Sequence, residues 1–172
     1  MILEYPETFS INNTYETKEY WINQKFIPST LKDKLKKSNV LFVPEERNGD
    51  IGFHEEVPQF LEYLEELNDE KINANICMDE KNYQEFILHS NVIRFGEILI
   101  EYIILPIFSM YLYDYLKNKF FNQDDEKIEI ILNIQRKNDE NIKFEYRGSF
   151  KKFKSLIQDE KEFIKIIKGD DD

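Results

Sequence analysis

The sequence predicts a mixed α/β protein, with an α+β arrangement left open, in which helices pack against a mixed sheet of about four strands. Three observations predict this class. Apolar or alternating runs are followed by stretches with helical spacing, which is the order expected of β-α-β units. Two alternating runs near the C-terminus predict an antiparallel hairpin. Hydrophobic residues make up 41% of the chain, with fourteen Phe and ten Tyr, an apolar supply that a disordered chain lacks.

The length of 172 residues suits one domain. Residues 1–38 are predicted to form an N-terminal arm packed on the body, with a short helix over 31–37. Residues 39–168 are predicted to form the α/β core. Residues 169–172 are predicted to fray, because nothing apolar anchors this acidic tail.

The first half of the core is predicted to be a β-α-β unit. The apolar run Val40–Val43 is short and β-branched, which favours a buried strand. Apolar residues at helical spacing predict a helix over 55–67, and Pro58 is tolerated in its first turn. Strict alternation from Ile72 to Met78 predicts a second strand. A further helix is predicted over 81–89.

Residues 98–116 form an apolar run of nearly the length that spans a bilayer, about 20 residues. Glu97 and Glu101 stand at its start, Asp114 stands near its end and Pro106 interrupts it. Carboxylates inside a membrane helix are costly, about 2.5–3.5 kcal/mol on insertion scales. The run therefore predicts a long central helix of a protein without a membrane span, over 94–120 and bent at Pro106.

The last elements are predicted from alternation and from a cap. Residues 128–134 and 142–146 alternate between apolar and polar side chains, which predicts two paired strands with one buried face. Gly148 and Ser149 follow. Ser149 is a favourable N-cap for a last helix that starts at Phe150.

The composition excludes several classes of function. The net charge of −11 argues against binding to nucleic acid or to an anionic membrane surface. The single cysteine, Cys77, excludes an intrachain disulfide and multi-cysteine zinc sites. The N-terminal residues do not resemble a signal peptide, so a cytoplasmic location is expected. No Gly-rich phosphate loop, G-x-S-x-G or HExxH motif occurs, and no cofactor is predicted.

Acidic pairs follow both strands of the predicted β-α-β unit. Glu45 and Glu46 follow the first strand, and Asp79 and Glu80 follow the second. If the two strands are parallel neighbours, these side chains meet at the edge where α/β sheets place ligands. Glu45, Asp79 and Glu80 are then candidate Mg²⁺ ligands, and Glu45, Glu46, Asp79 and His54 are candidate acid–base groups. Acidic residues at strand ends are also common on structural grounds, and no catalytic or metal role is committed to any of them.

Two acidic residues lie on one face of the predicted central helix. Glu97 and Glu101 are one turn apart, and Arg94 precedes Glu97 by three residues and is a suitable partner. The preferred interpretation is a polar seam that faces the arm or solvent.

The aromatic residues Tyr102, Tyr111, Tyr113 and Tyr115 predict an interface, because aromatics are enriched at interface centres. The sequence thus favours a non-enzymatic acidic interaction module that binds a protein partner. A basic partner would suit its negative charge best. An accessory, inhibitory or immunity-type subunit of a bacterial system, antiphage defence included, has this profile. The sequence leaves open whether the protein forms a homo-oligomer. The alternative is a small α/β enzyme or a nucleotide or metal-ligand binder that uses the acidic strand ends.

Overall fold

The computed structural model describes residues 7–87, 91–136 and 140–168. Within these ranges the strands are β1 (Thr8–Thr14), β2 (Val40–Val43), β3 (Glu45–Arg47), β4 (Asp50–His54), β5 (Ala74–Ile76), β6 (Glu85–Phe86), β7 (Val92–Glu101), β8 (Lys127–Gln135) and β9 (Asn141–Ser149). The helices are α1 (Lys18–Ile22), α2 (Lys32–Lys37), α3 (Glu56–Leu67), α4 (Leu105–Lys119), α5 (Phe150–Gln158) and α6 (Glu160–Lys168). The predicted frayed tail lies outside the described residues.

The larger sheet has six strands in the order β1-β9-β8-β7-β2-β5. The pairs β7–β8 and β2–β5 are parallel, and the other neighbours are antiparallel. A second sheet has the order β3-β4-β6. The mixed α/β class is therefore confirmed, but a sheet of about four strands is wrong. The sheet is wider because β1, from the predicted arm, and β7, from the predicted long helix, both belong to it.

The long apolar central helix is also wrong. Its first part is β7, a central strand, and α4 starts only at Leu105 after a short 3-10 turn, Tyr102–Ile104. Strands of this kind are covered on both faces, so their sequence is continuously apolar and resembles that of a buried helix. Pro106 lies in the first turn of α4, where it is tolerated, and not at a bend. In the described parts of the chain, no helix combines the length and the apolar character that crossing a bilayer requires.

The other predicted elements agree with the structure to different degrees. The strand at Val40–Val43, the helix that is now α3 and the β8–β9 hairpin are confirmed, and the second predicted strand is shorter, Ala74–Ile76. The strands β2 and β5 are parallel neighbours, a pairing that the sequence left open. Ser149 caps α5 as predicted, since its side chain accepts a hydrogen bond from the Lys152 amide. The helix predicted over 81–89 is wrong for residues 81–87, the part that the structure describes. The chain there contains the end of a 3-10 turn and strand β6. The last helix is broken at Asp159 into α5 and α6.

Both faces of the large sheet are covered by helices, but unequally. Four helices, α3 to α6, pack over one face and enclose the larger core, whose centre is the ring of Phe60. The arm covers part of the opposite face. Leu35 of α2 and Ile22 of α1 pack there against Leu41 and Leu99. The strands β2 and β7 are thus buried on both sides.

The polar seam that the sequence predicts does face the arm. Lys18 of α1 forms an ion pair with Glu101 at 2.9 Å. Lys143 of β9 lies 2.9 Å from the Glu97 carboxylate and also contacts Glu16 in the loop between β1 and α1. These contacts join the arm to the part of the sheet that α1 and α2 leave uncovered.

Arg94 is not the partner of Glu97, contrary to the prediction. Its Nε atom donates a hydrogen bond at 2.8 Å to Glu129, which lies opposite it in the β7–β8 register. Residues three apart are close on a helix but about 10 Å apart along a strand, at about 3.3 Å per residue. The change from helix to strand therefore changes the partner.

Candidate functional site

The structure brings two of the predicted site residues into contact. Glu45 is the first residue of β3 and His54 is the last residue of β4, and the two strands form a hairpin. The Nε2 atom of His54 and the Oε2 atom of Glu45 are 2.7 Å apart. The histidine is almost entirely buried, with 4% of its surface exposed. A carboxylate that orients an imidazole in this way is the usual support of a histidine that exchanges protons or binds a ligand.

The environment of Glu45 favours the ionised carboxylate. Burial raises the pKa of Glu45, but the hydrogen bond with His54 and the charges of His54 and Arg47 lower it by more, so the pKa lies below its ordinary value. An ionised carboxylate only accepts hydrogen bonds. The Nε2 atom of His54 therefore carries the proton in this contact.

A β-bulge in the neighbouring strand makes room for Glu45. The β7–β8 register shifts between Arg94 and Gly96, and Gly96 has a φ of 68°. A Cβ atom at Gly96 would lie 3.4 Å from Oε1 of Glu45. Glycine is thus favoured twice, by a left-handed backbone and by the closeness of the carboxylate.

Replacing Gly96 by alanine is expected to lower the free energy of unfolding by about 1–2 kcal/mol, the cost of a left-handed conformation for an L-residue. The added methyl group also crowds Glu45, so the ring resonances of His54 are expected to shift. Urea unfolding and a ¹H–¹³C spectrum of the imidazole measure the two effects. A variant as stable as the parent, with unchanged His54 resonances, would contradict the role given to the bulge.

The other acidic residues of the predicted site do not join this pair. Glu46 and Glu80 are exposed, and Oδ1 of Asp79 accepts a hydrogen bond at 3.2 Å from the Lys81 amide in a 3-10 turn, Glu80–Asn82. Across residues 7–87, 91–136 and 140–168, no group of three or more His, Cys, Asp or Glu side chains is arranged to hold a metal ion. The strands β2 and β5 are parallel neighbours, which the hypothesis required, but Glu45 and Glu46 belong to β3 of the second sheet.

A pocket of about 230 Å³ lies beside His54. It is formed where the end of β4 and the start of α3 meet the start of β7 and the loop after α4. The lining includes His54, Glu56, Phe86, Arg94, Phe120 and Glu126. Acidic, basic and aromatic side chains thus share one small concave surface.

Glu56 connects this pocket to α4. Its carboxylate is buried, with 8% of the residue exposed, and Oε2 accepts hydrogen bonds from the Tyr115 hydroxyl at 2.9 Å and from Lys119 Nζ at 2.8 Å. Burial, and then the charge of Glu56, raise the pKa of Tyr115 well above its ordinary value. The tyrosine therefore stays protonated and keeps donating to Glu56.

Sequence reasoning missed this second part of the site. Tyr115 and Lys119 are 59 and 63 residues away from Glu56 in the chain. No periodicity or short motif connects positions so far apart, and Glu56 resembles an ordinary acidic residue in the first turn of a helix. Only the packing of α4 against α3 brings them together.

The outer sides of α3 and α4 form a second candidate site, which we call the helix-pair surface. It consists of the exposed carboxylates Glu62, Glu65 and Glu66 of α3 and two exposed apolar residues, Ile103 in the 3-10 turn before α4 and Met110 in α4. Ile103 is 74% exposed and Met110 is 46% exposed. The segment 55–70 has seven Asp and Glu residues and no Lys or Arg.

The four tyrosines predicted at an interface make internal contacts. Tyr115 is buried, and the Tyr111 hydroxyl donates to Asp69 just after α3. Tyr102 lies under the Arg136 guanidinium, 5.5 Å from the ring centroid, and Tyr113 is partly buried against the core. The exposed apolar area of α4 is therefore aliphatic.

The chain was compared with protein-family models, with curated proteins and with solved structures. No protein-family model, no curated protein and no solved structure matches this chain.

Proposed function

We propose that this protein is a non-enzymatic interaction module that binds a basic protein partner through the helix-pair surface. The observation that carries the proposal is a row of exposed carboxylates on α3, which form no ion pair within the described residues, together with the exposed Ile103 and Met110 at α4. Apolar side chains at the centre and charges at the rim are the usual anatomy of a protein interface.

The charge of the whole chain supports the same partner. A net charge of −11 attracts a basic protein over several ångströms and speeds its encounter with the acidic surface. Since α3 has no lysine or arginine, its carboxylates are not neutralised by neighbours along the helix. A basic partner would supply the missing cations.

The narrower proposal is an accessory, inhibitory or immunity-type subunit that acts in a bacterial cytoplasm, with antiphage defence among the systems it suits. Basic surfaces are typical of proteins that act on nucleic acid. An acidic subunit that covers such a surface inhibits its partner by competing with the phosphate backbone. The amino-acid composition supports this narrower proposal.

Reversing the charges of α3 is expected to abolish binding of the partner. The variant carries Glu62→Lys, Glu65→Lys and Glu66→Lys, and the matched control carries Glu46→Lys, Asp50→Lys and Glu80→Lys, which are exposed acidic residues elsewhere. Both variants change the net charge equally. Tagged protein is incubated with lysate of its source cells, and the captured proteins are quantified by mass spectrometry.

The wild type and the control are expected to retain a basic protein in stoichiometric amounts, and the α3 variant is expected to lose at least about 90% of it, a tenfold change. Met110→Asp tests the apolar half of the surface in the same assay. Equal capture by the α3 variant and the wild type, or an equal loss in the control, would contradict the proposed surface.

A second function, binding of a small ligand, is supported by the contact between His54 and Glu45 beside the pocket. A panel of cationic, neutral and anionic small molecules, metal ions and nucleotides tests it by thermal shift. A ligand of the pocket is expected to raise the melting temperature of the wild type and not of His54→Ala. The absence of any stabilising compound would count against this second function alone.

A further inference from the structure

Two buried side chains of the pocket each leave one polar atom without a partner. His54 uses Nε2 for its contact with Glu45, and Glu56 uses Oε2 for both Tyr115 and Lys119. The remaining atoms, His54 Nδ1 and Glu56 Oε1, make no hydrogen bond with any described part of the chain, and neither is sealed off from the pocket. A ligand in the pocket can therefore reach both atoms.

Glu56 Oε1 belongs to a carboxylate, so it accepts hydrogen bonds. A ligand that satisfies it must bring N–H or O–H donors.

The charge of the pocket favours a cation as that donor. Arg94 on its wall pairs with Glu129, and Lys119, which lies outside the lining, pairs with Glu56. Glu126 also lines the pocket, and no ion pair involves it within the described residues. The carboxylates therefore exceed the cations, and the local potential is negative.

The remaining lining is mixed, with Glu55, Asn91 and Gln123 beside apolar and aromatic side chains. Phe86, Phe120, Val92 and Ile93 line the pocket. The Lys119 ammonium lies 5.5 Å from the centroid of the Phe120 ring, so this ring already has a cation near it. Aromatic faces attract cations and pack against short alkyl chains.

We propose that this pocket binds an organic cation, a primary ammonium or guanidinium group on a short alkyl stem. Glu56 Oε1 and Glu126 accept its N–H donors, and the rings of Phe86 and Phe120 cover the stem. The proposal names the ligand class of the small-ligand function and rests on that function. The same chemistry is carried by a free alkylamine and by a lysine or arginine side chain of the basic partner.

Titration of the full chain with n-butylamine and n-butylguanidine, followed by ¹H–¹⁵N spectra, tests the proposal. At pH 7 both probes are cations, and 1-butanol and butyrate are controls with the same stem. Saturable shifts at His54, Phe86 and Phe120 are expected with the two cations and not with the controls. Glu56→Gln and Glu126→Gln are each expected to weaken binding about tenfold, and Glu19→Gln, at an exposed position of α1, leaves it unchanged.

Equal binding of 1-butanol, or cation binding that neither glutamine variant weakens, would overturn the proposal. Glu126→Gln keeps the test valid if Glu56→Gln does not fold, because Glu126 has no part in the buried contacts of Tyr115. Binding of butyrate in place of the cations would overturn the ligand class and leave the small-ligand function standing. Cadaverine and N-acetyl-lysine methylamide distinguish a free amine from a side chain of the partner. Tighter binding of cadaverine indicates a free amine, and tighter binding of N-acetyl-lysine methylamide indicates a lysine side chain.

Discussion

Replacing Phe60 by alanine is expected to lower the free energy of unfolding by about 4 kcal/mol, within the range for large buried aromatic residues. Phe60 of α3 is fully buried, and its ring packs against five other aromatic rings. These are Phe42, Tyr63, Phe95, Phe108 and Tyr115. The substitution leaves a cavity between the sheet, α3 and α4, which the rigid strands on one side cannot close.

Urea unfolding followed by far-ultraviolet circular dichroism measures this loss. Phe121→Ala is the matched control, because Phe121 is 72% exposed and its truncation is expected to cost less than about 0.5 kcal/mol. If the two variants lost equal stability, Phe60 would not be at the centre of the core. A molten, partly folded Phe60→Ala variant would agree with the expectation.

Replacing Lys143 by methionine is expected to cost about 3 kcal/mol at pH 7, because it leaves the buried carboxylate of Glu97 without its cation. Glu97 is nearly buried, and its Oε2 atom makes no hydrogen bond within the described residues, so Lys143 at 2.9 Å from Oε1 is its main support. Lys143 also contacts Glu16 and thereby holds the loop that precedes α1. Thermal and urea unfolding measure the cost.

The stability lost in Lys143→Met is expected to depend on pH, and the pKa of Glu97 gives the direction of that dependence. Burial raises the pKa of Glu97 above its ordinary value, although Lys143 opposes the shift. A raised carboxyl pKa means that the folded state binds the proton more tightly than the unfolded state, so ionised Glu97 costs stability above that pKa and costs none below the unfolded value of about 4.3. Without Lys143 this cost grows. The difference in stability between Lys143→Met and the wild type is therefore expected to shrink as the pH falls from 7 toward 4.

A double variant and a surface control separate this effect from a general loss of packing. Adding Glu97→Gln to Lys143→Met removes the unpaired carboxylate and is expected to recover much of the lost stability. Lys152→Met breaks an exposed ion pair with Glu7 and is expected to cost less than about 1 kcal/mol. A loss that is independent of pH and is not recovered by Glu97→Gln would show that Lys143 acts through its alkyl chain.

The candidate site could be predicted from the sequence only where its residues are local. Glu45 and His54 are nine residues apart, and their place after a predicted strand was enough to propose that they act together. Asp79 failed to join them because its carboxylate accepts a bond from the nearby Lys81 amide, a purely local competition. Glu56, Tyr115 and Lys119 belong to different helices, so no local pattern could reveal their contact.

Local patterns in the sequence were sufficient for the β-α-β unit, the C-terminal hairpin and the Ser149 cap. In each case a period of two or 3.6, or a capping side chain, acts within a few residues and depends little on the rest of the chain. The acidic, apolar-rich composition likewise set the charge of the surface and the supply of core residues without any knowledge of the fold.

Only the tertiary structure decided that β7 is a strand and that β1 is part of the sheet. A central strand covered by helices on both faces has the same continuous apolar sequence as a buried helix, and the choice depends on whether neighbouring strands offer hydrogen bonds. β1 has no strong pattern of its own, and its pairing with β9 along seven residues supplies the hydrogen bonds that make it a strand. The same long-range packing places α4 beside α3 and so forms the contacts of Glu56. These contacts join residues that are distant in the chain, so no local pattern in the sequence predicts them.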